Sequence, residues 1–339
     1  MFKQKVVFVV GAGASREYNF PLGSHLKDRI AVDVRFRFEH GGSQQTSGSV
    51  DLLDHIRRHV RANTERANDY TMAANLLASA IPSFVSIDEA LHFVSHSPEA
   101  VEVGKIAIVD HILKAERGST LAFNRQNGRL TDLPEGWISE MFSMAVAGSR
   151  RQDLARIFDH VTFVNFNYDR AIEQYLFWAL QERTSATEDE ARAIVAGLNM
   201  IRPYGSIGPF SHNFSDPFGF GTTAYFDPFT RLAVLGTYTD QQPKHDTAAM
   251  HNAALNAKLI VFLGFGYHTS NVDLIKMNSG NGSAVVMGTV SGIHKSNHEL
   301  IAGRIAGNLK MHVGGVVLYD MKASEMLREL RPRILMTAG

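Results

Sequence analysis

Residues 6–15 constrain this chain more than any other stretch. Val6-Val7-Phe8-Val9-Val10 is an unbroken apolar, mostly β-branched run, and Gly11-Ala12-Gly13-Ala14-Ser15 follows at once. A strand with one wet face alternates apolar and polar residues, whereas a strand covered on both faces does not. The run therefore predicts a central strand of a parallel sheet, ending in a tight turn. Strand-like runs return at Val161–Phe166, Leu259–Leu263, Ala284–Met287 and Gly315–Tyr319. Helical patterns intervene at Asp169–Glu182, His245–Ala257 and Ala323–Leu330. Strands alternating with helices at this spacing predict a parallel sheet with right-handed crossovers.

Between the first and second of these strands the signal is almost wholly helical. Leu22–Phe38 has helical character, and from Val50 to about Asp159 no strand-like run occurs. Val101, Ile106, Ile108, Val109 and Leu113 form an apolar stripe that Ile112 extends. The expected fold is α/β, a Rossmann-like parallel sheet with a large helical insertion between its first and second strands. It is read as one domain, with the sheet core at about 1–30 and 158–339 and the insertion at about 31–157. Gly41–Ser49 reads as a surface loop, and Pro209–Phe229, rich in Phe, Gly and Pro, as a structured loop or hairpin.

Composition removes several functional classes. The 339 residues include no cysteine, which excludes disulfides and thiolate metal sites. Thirty-four basic and 34 acidic side chains balance, which argues against a protein built to hold nucleic acid and leaves no net charge to keep copies apart. No apolar run approaches the ~20 residues that a membrane span requires. Met1–Lys5 lead straight into the first strand without a leader-like pattern, so the expected location is cytoplasmic. Among the histidines, His212, His245, His251 and His268 show no i, i+4 pair with a third ligand, and no metal is expected.

A buried strand that ends in Gly-x-Gly before a helix aims backbone N–H groups and a helix N-terminus at one point, which suits a diphosphate. Gly11 and Gly13 allow close approach, and Ser15 can cap the turn or donate to a phosphate oxygen. The same pattern also suits a tight turn that binds nothing. The dinucleotide fingerprint G-x-G-x-x-G fails, because Arg16 stands at its third glycine, and no strand ending in an acidic residue follows about 20 residues on. An ordinary dehydrogenase is disfavoured.

Four short motifs then share an order. They are V-V-G-A-G-A-S at Val9–Ser15 with F-P-L-G at Phe20–Gly23, V-N-F-N-Y-D-R-A-I-E at Val164–Glu173, P-Y-G-S-I at Pro203–Ile207, and V-F-L-G-F-G-Y-H at Val261–His268. The ordered set resembles the sirtuin-like superfamily. It is most similar to the bacterial subfamily found in anti-phage defence, which S-I-D-E-A-L at Ser86–Leu91 and the helix Gly104–Arg117 also resemble. The four-cysteine zinc module of the deacylases has no counterpart here, so peptide deacylation is not expected. The resemblance makes 1–339 a single sirtuin-like domain.

That resemblance implies NAD as substrate, bound across the carboxyl ends of the strands. Gly11, Ala12, Gly13 and Ser15 are expected around the diphosphate and Gly264 and Gly266 towards the adenosine half, with Pro21 and His268 also expected to bind the cofactor. Asn167 is the expected principal catalytic residue, assisted at the ribose by Asp169 and Tyr204. Asp169 also suits a plain helix cap, and His268 a surface or packing role. At position 204 the family normally carries histidine. A tyrosine has a reference pKa of ~10, and lowering it to 7 takes ~4 kcal/mol, so Tyr204 is a poor general base but a good partner for a ribose hydroxyl.

The implied activity is NAD hydrolysis to nicotinamide and ADP-ribose by an abortive-infection effector. Because an unrestrained NADase harms its host, control by homo-oligomerisation or by a separate sensor or activator subunit is expected. The alternative is a non-catalytic NAD- or ADP-ribose-binding regulatory subunit.

Overall fold

The computed structural model describes residues 1–39, 44–60, 64–122, 130, 132–213, 216, 218–222, 227–231, 247–277 and 279–339. The chain divides into two compact units: Met1–Asn19 with Phe123–Pro203 and His245–Gly339, and Phe20–Ala122 with Tyr204–Lys244.

The first unit is an α/β sheet structure. Its strands are β1 (Val6–Val10), β4 (Val161–Asn165), β5 (Asn199–Ile201), β6 (Leu259–Leu263), β7 (Val285–Thr289) and β8 (Val316–Tyr319); β2 (Arg37–Glu39) and β3 (Gln44–Ser47) belong to the second unit. The sheet order is β5-β4-β1-β6-β7-β8, and every pairing is parallel. Counted along the sheet's own strands, this is the order 3-2-1-4-5-6 of the Rossmann-like doubly wound fold. The unbroken apolar runs are explained by position: all five residues of β1 and of β6 are buried. Val6 pairs with Val161 on one side and Leu259 on the other, so β1 is central.

Helices flank the sheet at Trp137–Val146, Ala171–Thr184, Glu188–Ala196, Thr247–Asn256, Thr269–Leu274, His298–Asn308, Ala323–Glu329 and Arg331–Ala338. Two side chains just after the first turn are anchored to them. The Glu17 carboxylate accepts from Trp137 N (2.8 Å) and Ser324 N (2.9 Å), placing negative charge at two helix N-termini. The Tyr18 hydroxyl accepts from Ile138 N at 2.9 Å. Gly136 leaves room for it, because a Cβ there would stand 2.5 Å from that hydroxyl.

The second unit is mainly helical, with helices at Gly23–Asp33, Val50–His59, Thr64–Ala80, Ile87–Phe93 and Pro98–Gly118. Pro98–Gly118 is central, burying Val103, Ile106, Ile108, Val109, Ile112 and Leu113. Of the expected stripe only Val101 stays half-exposed. Ser49, Ser86 and Ser97 cap three of these helices by accepting from the third residue on.

Three local readings need correction. The helix expected over Leu22–Phe38 stops at Asp33, and β2 (Arg37–Glu39) pairs antiparallel with β3 (Gln44–Ser47). The stretch read as a surface loop at Gly41–Ser49 therefore contains a strand, while its residues 41–43 lie outside the described residues. Its polar side chains hid the pattern, since neither strand of the ribbon is buried. The short edge strand β5 was not anticipated either: three residues are too few for periodicity to register. In Pro209–Phe229, Phe214 is outside the described residues, whereas Phe220 is buried.

Candidate functional site

The sheet reverses its winding between β1 and β6, and in open α/β sheets ligands occupy the crevice at the carboxyl ends of the strands there. The turns that leave these two strands touch through main-chain atoms. Gly11 N–H donates to Leu263 O at 3.0 Å, and Gly13 N–H to Gly264 O at 2.9 Å. A Cβ on Gly11 would lie 2.7 Å from Gly264 O, and one on Gly13 2.8 Å from the same oxygen. Gly264 has φ +54, and a Cβ there would overlap the Ala14 nitrogen. These three glycines are needed for contact between backbones. The Gly264 N–H is held in turn by Thr289 Oγ1 at 2.8 Å, at the end of β7.

Across β1 from this junction, β4 ends in Asn165-Phe166-Asn167-Tyr168-Asp169. Phe166 N–H still bonds Val10 O (2.9 Å), so the segment leaves the sheet only after β1 has ended. The first and last polar side chains fold their own backbone. Asn165 Oδ1 accepts from Asn167 N at 3.0 Å, and Asp169 Oδ1 from Ala171 N at 3.1 Å, where the helix Ala171–Thr184 starts. Both are the side-chain turns that Asn and Asp favour. Asp169 therefore turns the chain into the helix from one residue before the N-cap position, which is Arg170 and has no side-chain cap.

Asn167 differs: its Nδ2 donates to Ser15 Oγ at 2.9 Å, joining the β4 segment to the glycine turn. Ser15, Asn167 and Asp169 are 3%, 7% and 4% exposed. With the amide NH2 on Ser15, the carbonyl oxygen is the remaining function of the Asn167 side chain. The Ser15 hydroxyl, having accepted that bond, keeps its own proton as a donor.

No protein-family model matches the chain, and no curated protein matches it.

The other expected residues divide between the units. Gly11, Ala12, Gly13, Ser15, Asn167, Asp169, Gly264, Gly266 and His268 belong to the first unit, and Pro21 and Tyr204 to the second. Gly266 and His268 are exposed, and His268 precedes the helix Thr269–Leu274. Tyr267 between them turns inward with φ 53 and donates to Thr289 O at 3.1 Å. Burial pushes its phenol pKa far above the usual range, so it stays protonated. A pocket of about 310 Å³ opens beside this turn, lined by Gly266, Tyr267, Val272, Ile293, Asn297 and Arg304 among others. A second, of about 390 Å³, includes Asp159 and Asn199, which stand where β4 and β5 begin, at the amino ends of the strands.

One residue of the site was not singled out from sequence. Arg202, directly after β5, donates through Nη1 to Asn167 O and Asp169 O, both at 2.9 Å. Its Nη2 meets Glu173 Oε1 at 2.6 Å. A lone arginine after a three-residue strand carries no motif. Its role is visible only once the sheet places β5 beside β4. No group of three or more His, Asp or Glu suited to a metal occurs among the described residues.

Proposed function

We propose that this chain is a NAD glycohydrolase that cleaves NAD to nicotinamide and ADP-ribose, with Asn167 as its principal catalytic residue. The observation that carries this reading is the Asn167–Ser15 bond at the winding reversal of a 3-2-1-4-5-6 sheet. It puts a carboxamide beside the turn that, in such folds, meets a dinucleotide's diphosphate. The motif order that resembles the sirtuin-like superfamily supplies the substrate class.

The reaction asks little of a general acid. Nicotinamide in NAD is cationic, so the bond between ribose C1′ and the pyridine nitrogen breaks with its electron pair going to nitrogen, and nicotinamide departs neutral. A water oxygen then bonds C1′ and its proton passes to solvent. What accelerates this is orientation of the water and sugar, and dipoles directed at the charge developing on the ribose. The Asn167 oxygen offers such a dipole and can hold the water or a ribose hydroxyl. Asp169, a carboxyl two residues on, lies near the same charge while its Oδ1 holds the Ala171 N–H. Gly11 and Gly13 contribute close approach and no N–H donors, since their N–H groups are engaged by Leu263 O and Gly264 O. The Ser15 hydroxyl proton is the turn's side-chain donor to a phosphate oxygen. The pocket beside Gly266, of about 310 Å³, lies at the lower end of the roughly 300–1,000 Å³ range of small-molecule sites.

In cells the reading is that of an abortive-infection effector restrained by self-association or by a partner subunit. A second reading, a regulatory subunit that binds NAD or ADP-ribose without turnover, is favoured by one observation: tyrosine stands at 204 where the family resemblance calls for histidine. Nicotinamide release from NAD, for the wild type and Asn167→Ala, tests the first reading. Calorimetry with ADP-ribose separates the second from no binding at all. NAD loss that is unchanged by Asn167→Ala would remove the site assignment.

A further inference from the structure

The Asn167 segment is held on its N–H side by its own side chains and on its C=O side by Arg202, the residue after β5. Asn165 and Asp169 bond the N–H groups of Asn167 and Ala171. The carbonyls of Asn167 and Asp169 both point to a single nitrogen, Arg202 Nη1. Two acceptors two residues apart on one donor fix the Asn167–Tyr168 and Asp169–Arg170 peptide planes. Arg202 Nη2 is meanwhile tied to Glu173, in the first turn of Ala171–Thr184, so the planar fork cannot swing away. The two side chains are 12% and 14% exposed, which shelters the pair from solvent without sealing it.

From this geometry we propose that Arg202 is a positioning residue for the reaction, fixing the main chain that aims the Asn167 carboxamide, with Glu173 locking its orientation. The inference rests on the hydrolase reading above. Arg202 itself bonds two main-chain carbonyls and a carboxylate, so its effect reaches the substrate through Asn167. Arginine is required because its rigid fork serves three acceptors in fixed directions. A lysine ammonium is a point charge on a flexible stem and reproduces only part of the arrangement.

The test uses the purified full chain with NAD, comparing Arg202→Gln, Arg202→Lys, Glu173→Gln and the double variant Arg202→Gln/Asn167→Ala. Displacement of a catalytic group by about 1 Å costs roughly 10²-fold in rate, so Arg202→Gln is expected to lower kcat on that order. ADP-ribose affinity should change much less, by under about threefold, because the diphosphate turn is untouched. Arg202→Lys should recover part of kcat, and Glu173→Gln should lose less than Arg202→Gln in the same sense. In the Asn167→Ala background, Arg202→Gln should cost nothing further, since a residue that acts only through Asn167 has nothing left to position.

Multiplying losses in the double variant, or an unchanged kcat in folded Arg202→Gln, overturns the proposal. Should Arg202→Gln fail to fold, Glu173→Gln combined with Asn167→Ala carries the same comparison. A wild type that releases no nicotinamide either as the purified chain or in cells that also express its neighbouring gene products overturns the hydrolase reading instead. Amide hydrogen exchange at Asn167 and Ala171 then decides the positioning role: faster exchange in Arg202→Gln or Glu173→Gln supports it, and unchanged exchange overturns it.

Discussion

Asn167 Nδ2 and Ser15 Oγ stand 2.9 Å apart although 152 residues separate them in the chain. Neither side chain can find this partner until β4 has docked on β1, in the register that pairs Val10 with Asn165. The bond thus depends on correct assembly of the central strands, and it places a carboxamide and a hydroxyl at the same end of the sheet.

Asn167→Ala is expected to reduce nicotinamide release by about 10²-fold or more, the usual scale for removing one preorganised dipole from a reacting centre. Asn167→Asp keeps the shape but loses the donor to Ser15, and is expected to be nearly as damaging. Initial rates of nicotinamide formation measure both.

Ser15→Ala leaves the buried Asn167 NH2 without its acceptor. The expected cost is about 1–3 kcal/mol of unfolding free energy, read by urea titration, together with reduced turnover. Ser15→Thr retains the hydroxyl and should recover most of the stability if the added methyl finds space.

Thr289→Val removes the acceptor of the Gly264 N–H while preserving side-chain shape. A loss of about 1–3 kcal/mol is expected, and Thr289→Ser should restore most of it. Gly264→Ala should be worse than either, since it combines a φ of +54 with overlap onto Ala14. Denaturant midpoints rank the three variants.

His55 supplies a pH dependence in the helical unit. Burial lowers its pKa below the ordinary 6.5, and the nearby carboxylates, Asp110 first, only partly offset this. The unfolded chain therefore takes up a proton that the folded chain resists. Stability contributed by neutral His55 is complete above about pH 6.5 and declines as pH falls from there towards the folded-state pKa. Unfolding free energies between pH 7.5 and about 5 should fall in the wild type, and the fall should be shallower in His55→Gln.

The sheet was legible because β1 and β6 are buried at every residue and β4 and β7 at all but one, and burial on both faces leaves apolar runs; β8, half-exposed beyond Val316, still keeps the run Val316–Tyr319. The ribbon Arg37–Glu39/Gln44–Ser47 was not, because its side chains face solvent and nothing selects an apolar pattern. Within the site, Gly11, Gly13 and Ser15 stood out through residue type and spacing, and Asn167 through the motif that resembles the sirtuin-like signature. The turns folded by Asn165 and Asp169 were half visible, since Asn-x-Asn-x-Asp after a strand is a recognisable local device. Arg202 left no trace, because a long-range bond from a guanidinium to carbonyls depends on strand order and on no local pattern. The glycine N–H groups carry a similar lesson: Gly-x-Gly signals close approach, but what approaches was β6 itself.

Because Gly11, Gly13 and Gly264 meet as bare backbone, their meeting point has no dial. A side chain can be trimmed or lengthened one methylene at a time, but here the first carbon added already collides. Selection for altered ligand preference must therefore act on neighbouring loops, leaving the junction itself as an all-or-nothing inheritance.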